Sequence, residues 1–399
     1  MTRPFVYDPT RPDFPDHAYS VYRELRDAFP VYQDEASGFF ALSRFEDVRA
    51  AANDAATFSS EGTDLSSGLL PHIQAMDPPL HDALRSLVIQ AFTARRVTAM
   101  EPRVREIARE LLDGFADGER GDLLAQYARH LPSRVIGEMI GVPPERREAF
   151  LECTEALITA SPDGTATERS FQPAARIYQE FTKLLEERGR APREDLMSAL
   201  LAAEIDGRRL DERALLGFCF VLIVAGNDTT TNLIANGAVL LARHPDQRRL
   251  LVREPARLPE AVEEMLRFES PAQVLPRVAR RAVTLHGRTI PEGALVRLVW
   301  GAANHDEREF DEPERFDVRR RIRRHLAFGQ GIHFCLGAHL ARLEARVAFE
   351  ELLARIPDYE LESEPGWVVS SWARAHRSVP IVYPRSAGLR PGGRLRAGA

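Results

Sequence analysis

His325-Leu326-Ala327-Phe328-Gly329-Gln330-Gly331-Ile332-His333-Phe334-Cys335-Leu336-Gly337-Ala338-His339-Leu340-Ala341-Arg342-Leu343-Glu344 is the most informative run in the chain. A glycine-interrupted loop leads into Cys335, and an amphipathic pattern continues to about Ile356, so the thiol is expected at a helix N-terminus. That end of a helix favours an anion and lowers a thiol pKa. Gly329 and Gly331 let the loop fold back with backbone N–H groups toward the sulfur. Gly337 leaves the approach side bare, which makes room for something large and flat.

Several roles for this cysteine compete. A small buried hydrophobe suits Cys153 and also Cys219, inside Gly217-Phe218-Cys219-Phe220, but it does not explain the glycines around Cys335. Zinc lacks a second nearby cysteine, and His333 is poorly placed as a sole companion. A thiol nucleophile with a distant histidine stays open.

Outward from the loop, two helices matter. Asp211 caps a helix that runs to about Arg243, where His244-Pro245 stops it, a length of ~50 Å. Its stretch Leu215 to Ala225 is apolar on every side and therefore central. The polar run Ala225-Gly226-Asn227-Asp228-Thr229-Thr230-Thr231 follows. The threonines can back-bond to carbonyls while Asp228 finds a partner, or the Gly, acid and hydroxyls can mark a widened turn opening onto a cavity. A second helix, from near Pro259 to before Ser270-Pro271, carries Glu263, Glu264 and Arg267. Either acid is spaced to pair with the arginine, and an exposed pair would contribute little.

The 399 residues carry 53 basic and 59 acidic side chains, a net charge of -6, and are 44% apolar. Disorder is excluded, as is a disulfide scaffold built on three scattered cysteines, which fit a reducing cytoplasm. The mild acidity gives no reason to bind nucleic acid. The N-terminus has prolines and charges where a signal peptide needs an apolar run. Leu215 to Ala225 falls short of the ~20 residues that span a bilayer, so no membrane segment is expected.

The region from about Ala83 to Arg243 reads as helix. Strand-like pieces are fewer: Gly38 to Leu42, Arg280 to Leu285, Arg288 to Ile290, Leu295 to Trp300, Trp367 to Val369 and Val379 to Tyr383. The expected fold is mainly α with a small β region. One domain over residues 1–384 is the simpler organisation, with 385–399 a loose Arg/Gly/Pro-rich tail.

The sequence resembles the cytochrome P450 family, most of all its soluble bacterial members. Phe328 to Gly337 is similar to that family's haem loop, Glu264-Met265-Leu266-Arg267 to its ExxR helix, and Ala225 to Thr230 to its oxygen-activating segment. Asp77-Pro78-Pro79-Leu80-His81-Asp82-Ala83-Leu84-Arg85 and Pro276-Arg277 extend the match over nearly the whole chain. The resemblance implies a triangular helical fold with a long central helix and a haem b (iron protoporphyrin IX) whose axial ligand is Cys335. Ala225, Phe328, Gly329 and Gly337 would border it, and His81, Arg85, Arg277 and His333 match its propionate-binding positions. Glu264 and Arg267 become a structural pair joined by Arg315. Asp228 and Thr229 resemble the acid and alcohol that deliver protons, which favours a monooxygenase over a peroxide-driven peroxygenase or a non-catalytic haem-thiolate gas sensor. A haem-free thiol hydrolase is a further alternative.

The chain has neither a cysteine cluster nor a GxGxxG after a strand. Electrons from NAD(P)H are therefore expected through separate partners, a ferredoxin with its reductase or a flavodoxin-type protein. The run Arg319-Arg320-Arg321-Ile322-Arg323-Arg324, with Arg342 and Arg346, suggests a positive patch for an acidic ferredoxin. Pocket segments would be Leu65 to Ile73, Leu157 to Phe181, Val221 to Ala225, Gln273 to Leu275 and Trp367 to Ser370. They are mostly apolar, so a lipophilic terpene, steroid, fatty acid or polyketide is the expected substrate class. A cytoplasmic monomer without membrane or nucleic-acid partners completes the reading.

Overall fold

A computed structural model of the chain describes residues 5–63, 70, 72–115, 119–160, 168–205 and 208–384. The expected tail, 385–399, lies outside the described residues.

The architecture follows from one helix. Glu212–Arg243 runs for 32 residues without interruption, and Asp211 caps it by accepting from Ala214 N–H at 2.8 Å. Leu215 to Ile223 are all buried, so the helix is surrounded by others. By length and composition it is apolar enough to cross a membrane, which the eleven-residue apolar run alone did not suggest, yet 67% of its most apolar window is buried inside this molecule. Glu168–Arg190, His130–Ile140, Leu258–Phe268 and Ala338–Arg355 pack against it, and Ala338–Arg355 also packs on Ala94–Asp113.

Gly237 shows how tightly these helices meet. A Cβ there would stand 2.6 Å from the Phe349 ring and 2.8 Å from the Met265 sulfur. Phe349 and Met265, from Ala338–Arg355 and Leu258–Phe268, are essentially inaccessible to water. Full burial of a side chain of this kind contributes ~1.5–3 kcal/mol, and the missing side chain at 237 is what lets both approach.

The β region is small, as expected. Its main sheet places Val31–Gln33, Phe40–Leu42, Leu295–Val299, Val274–Ala279 and Phe58–Ser59 side by side, parallel only between Phe40–Leu42 and Leu295–Val299. Phe40, Leu42, Val296 and Leu298 bury one face with Phe45 and Trp300. Val274–Ala279 was missed in the sequence because its alternation is broken by Pro276 and Arg277. Trp300 leaves the strand to open the short helix Trp300–Ala303, and Trp367 makes an isolated bridge to His376 rather than a strand.

Candidate functional site

Cys335 lies two residues before Gly337, the N-cap of Ala338–Arg355. Its N–H donates to Phe328 O at 2.9 Å, which closes the loop on itself. Gly329 and Gly331 take positive φ, 68° and 73°, and Gly331 backs onto the Ala52 carbonyl with no room for a Cβ. Gly337 has open space where a Cβ would stand. Burial pushes the Cys335 thiol up, against the lowering by the Gly337 backbone, Arg85 and Arg342. The helix N-terminus was expected to dominate, but in the polypeptide alone desolvation does.

Four nitrogen-bearing side chains converge around His333 of the cysteine loop. His81 is fully buried, and its ring meets that of His333 edge-on at 4.5 Å. His81 Nδ1 contacts Asp82 at 2.8 Å, while the Nε2 atoms of both rings are buried without a protein partner. Burial brings His333 down to about 3, reinforced by Arg277 and His81. Arg277 is buried too, and desolvation lowers it to about 10 despite Asp77. Arg85 donates to Phe334 O at 2.6 Å, and burial lowers its pKa although Cys335 and Asp82 oppose this. Segments far apart in sequence thus bring two guanidinium groups and two imidazoles with unpartnered Nε2 atoms into one place, a set of donors suited to an anion.

Between its two buried stretches, Leu215–Ile223 and Thr230–Leu241, the central helix has a partly accessible middle. Val224, Ala225, Gly226, Asp228 and Thr229 are partly accessible there, with Asn227 buried among them. The helix stays α throughout, so the widened turn considered above is absent. Instead Thr229 Oγ1 back-bonds to Ala225 O at 2.7 Å, and Asn232 donates to Asp228 Oδ2 at 3.2 Å.

Glu264 and Arg267 form a two-point pair, Nε–Oε2 at 2.7 Å and Nη2–Oε1 at 2.8 Å, with both side chains fully buried. Arg267 also donates to Asn304 O and Pro313 O. The third member is Arg320, at 3.2 Å from Glu264 Oε1, and not Arg315 as expected. Arg315 is 59% exposed and pairs outward with Glu312. Arg320 reaches inward because it also satisfies the carbonyls of Asp311, Glu312 and Arg315. Asn304 Oδ1 accepts from Leu326 N at 2.7 Å, tying this assembly to the start of the cysteine loop.

Glu263 is engaged elsewhere, with His325 and Arg342. The positive patch is thereby weakened: Arg324 pairs with Glu46 and Glu309, and Arg346 with Glu101 and Glu350. Sequence inspection counted these arginines without their distant carboxylates.

Of the pocket segments, residues 65–69, 71 and 161–167 lie outside the described residues. Leu70 N–H donates to Tyr178 Oη at 3.1 Å, so two of the segments do meet, and the Tyr178 ring stacks at 4.9 Å on Phe220, the residue just before a third. Gln273 is buried and donates to Ser270 O. Trp367 is stacked on His376 at 3.8 Å and covered by Arg374 at 3.6 Å.

A family model described as Cytochrome P450 matches residues 163–365. Putative cytochrome P450 123 of Mycobacterium tuberculosis H37Rv is 40% identical over 370 residues, which is 90% of this chain and 92% of the relative. Among solved structures, cytochrome P450 CYP109Q5 from Chondromyces apiculatus superposes with a TM-score of 0.88 at 39% identity, covering 94% of this chain and 98% of that one. CYP109E1 from Bacillus megaterium, solved in complex with testosterone, gives 0.88 at 31% identity, covering 94% and 99%. Sequence, architecture and the Phe328–Gly337 loop agree, and the chain belongs to the cytochrome P450 family of haem-dependent monooxygenases.

Proposed function

We propose that Cys335 holds the haem iron through its sulfur, and that His81, Arg85, Arg277 and His333 receive the two propionates. The carrying observation is the pair of buried, partnerless Nε2 atoms of His81 and His333, set among Arg85 and Arg277 on the loop of a cysteine whose flanking Gly337 leaves open space. Burying such groups without partners costs free energy, and carboxylates would supply what they lack. The residues present therefore fit the family's cofactor. When bound, haem supplies reductive activation of O2 and transfer of one oxygen atom to a substrate.

The chain's own task is to control protons and water. Thr229 donates its hydroxyl hydrogen to Ala225 O and keeps lone pairs that can hold a water. Asp228, one residue earlier on the accessible part of the helix and steadied by Asn232, carries a proton to that water. The apolar wall of Val221 to Ala225, with Phe220 and Tyr178 above it, keeps other water out. Ala225 offers only a methyl group, so a flat group can lie against the helix.

Electrons reach this site from NAD(P)H through a ferredoxin and its reductase. The substrate is a lipophilic small molecule, in keeping with the largely apolar pocket segments and with the steroid bound by the Bacillus megaterium relative. Haem titration into haem-free protein tests the assignment. Arg277→Ala combined with His333→Ala is expected to weaken haem retention by ~10-fold or more; retention equal to the parent would remove the propionate roles. A panel of steroids, terpenes and fatty acids, read by the spin-state shift of the haem spectrum, then narrows the substrate.

A further inference from the structure

Glu263 is the acid that the ExxR spacing passes over, yet the fold gives it two partners that both contact one aromatic ring. Its carboxylate takes two donors from Arg342, Nε at 2.6 Å and Nη2 at 2.9 Å, and one from His325 Nε2 at 3.1 Å. Ala327 N–H donates to His325 Nδ1 at 3.1 Å, so the ring proton belongs on Nε2 and points to Glu263. The Arg342 guanidinium lies 4.4 Å from the centre of the Phe328 ring, and the His325 ring lies 5.8 Å from it. Phe328 O accepts from Cys335 N–H. A closed circuit results, from Glu263 to His325 and Arg342, from both to Phe328, and from Phe328 to Cys335.

A solvent-exposed ion pair contributes little. This one differs in three respects. The Arg342 contact is two-point and directional. His325 is almost wholly buried and Glu263 only about a quarter exposed, so water competes less. The two partners stand at opposite ends of the loop, His325 where it begins and Arg342 in the second turn of the helix that follows. One carboxylate therefore ties both ends of the segment that carries the cysteine.

We propose that Glu263 is a positioning residue for the cysteine loop: through His325 and Arg342 it fixes Phe328 and the backbone of residues 325–335 in the arrangement in which Cys335 binds iron as a thiolate. The inference rests on Cys335 being the haem ligand. It is distinct from the buried Glu264–Arg267–Arg320 assembly, which holds the segment before the loop and touches neither Phe328 nor Arg342.

The test compares haem-loaded parent protein with Glu263→Gln, which keeps the shape and removes the charge, and with Glu260→Gln one turn earlier, whose acid stands 3.8 Å from Arg257 and away from the loop. The readouts are haem transfer to apomyoglobin and the split of the reduced, CO-bound spectrum between the thiolate band and the blue-shifted band of a lost thiolate. Glu263→Gln is expected to release haem ~10-fold faster and to enlarge the blue-shifted share, with Glu263→Asp recovering part of both and Glu260→Gln changing neither. Parent-like release and spectrum in Glu263→Gln, or equal changes in Glu260→Gln, would overturn the proposal. If Glu263→Gln does not fold, Arg342→Lys, which keeps a cation but loses the two-point contact, decides by the same readouts. A parent without the thiolate band overturns the ligand assignment and this inference together, whereas a parent with the band and an indifferent Glu263→Gln overturns this inference alone.

Discussion

Thr229 and Asp228 stand side by side on the partly accessible middle of the central helix, and their separate hydrogen bonds predict separate consequences. Thr229→Ala removes the hydroxyl proposed to hold water but leaves the helix intact, because the Ala225 carbonyl it releases keeps its own helical bond. Most reducing equivalents should then appear as hydrogen peroxide while NAD(P)H consumption continues; coupling equal to the parent would remove the role. Arginines 315 and 320 offer a second contrast at this scale. Arg320→Ala takes one donor from the buried Glu264 and removes the links to three carbonyls on exposed residues, and should cost ~1–3 kcal/mol in denaturant unfolding. Arg315→Ala, on an exposed pair, should change stability by less than ~0.5 kcal/mol. Equal losses would place the third partner of the buried pair where the sequence resemblance had put it. Resemblance supplied the right type of residue and the wrong position, because a five-residue shift within a loop depends on which carbonyls need donors.

Among the elements, the central helix was legible in the sequence down to its cap, since Asp211, the apolar run and His244-Pro245 are local signals. The Glu264 helix was legible for the same reason. What did not show was how closely the helices meet. Gly237 looks like an ordinary small residue until Phe349 and Met265 are seen to occupy the space its Cβ would fill. Gly237→Val should lower stability by ~1–3 kcal/mol or more through overpacking, measured as a fall in the thermal midpoint, while Gly189→Ala, which meets nothing within 4 Å, should not. No loss at Gly237 would mean that the three helices adjust freely there. The strand Val274–Ala279 was hidden because Pro276 and Arg277 break its alternation, although Arg277 itself was identified. The charge patch is weaker than composition suggests for a different reason: ion pairs between segments more than 200 residues apart, such as Arg346 with Glu101, leave no trace in local composition.

For the molecule as a whole, two deeply buried groups set opposite pH limits. His305 is brought to about 3 by burial and by Arg267, so the unfolded chain binds its proton first and stability falls as pH drops below the ordinary value of 6.5. Glu344 is raised to about 8 by burial alone, with Oε2 unpartnered, so the folded chain keeps a proton that the unfolded chain releases. Its contribution is present below 4.5 and is lost as pH rises toward 8. Glu344→Gln should therefore flatten the decline in thermal midpoint between those values without changing stability at the acid end; an unaltered slope would show that water or a cation reaches the carboxyl. The helical mass, the cysteine loop and the family were readable from the residues, while the circuit around Glu263 and the orphaned nitrogens of His81 and His333 emerged only from tertiary structure. The central claim is that Cys335 sulfur binds haem iron, and the most direct measurement is the absorbance spectrum of the haem-loaded protein, reduced and exposed to carbon monoxide. The account predicts the strongly red-shifted Soret band of thiolate ligation in the parent and its loss in folded Cys335→Ser; a folded, haem-containing parent without that band, or a Cys335→Ser variant that retains it, would contradict it.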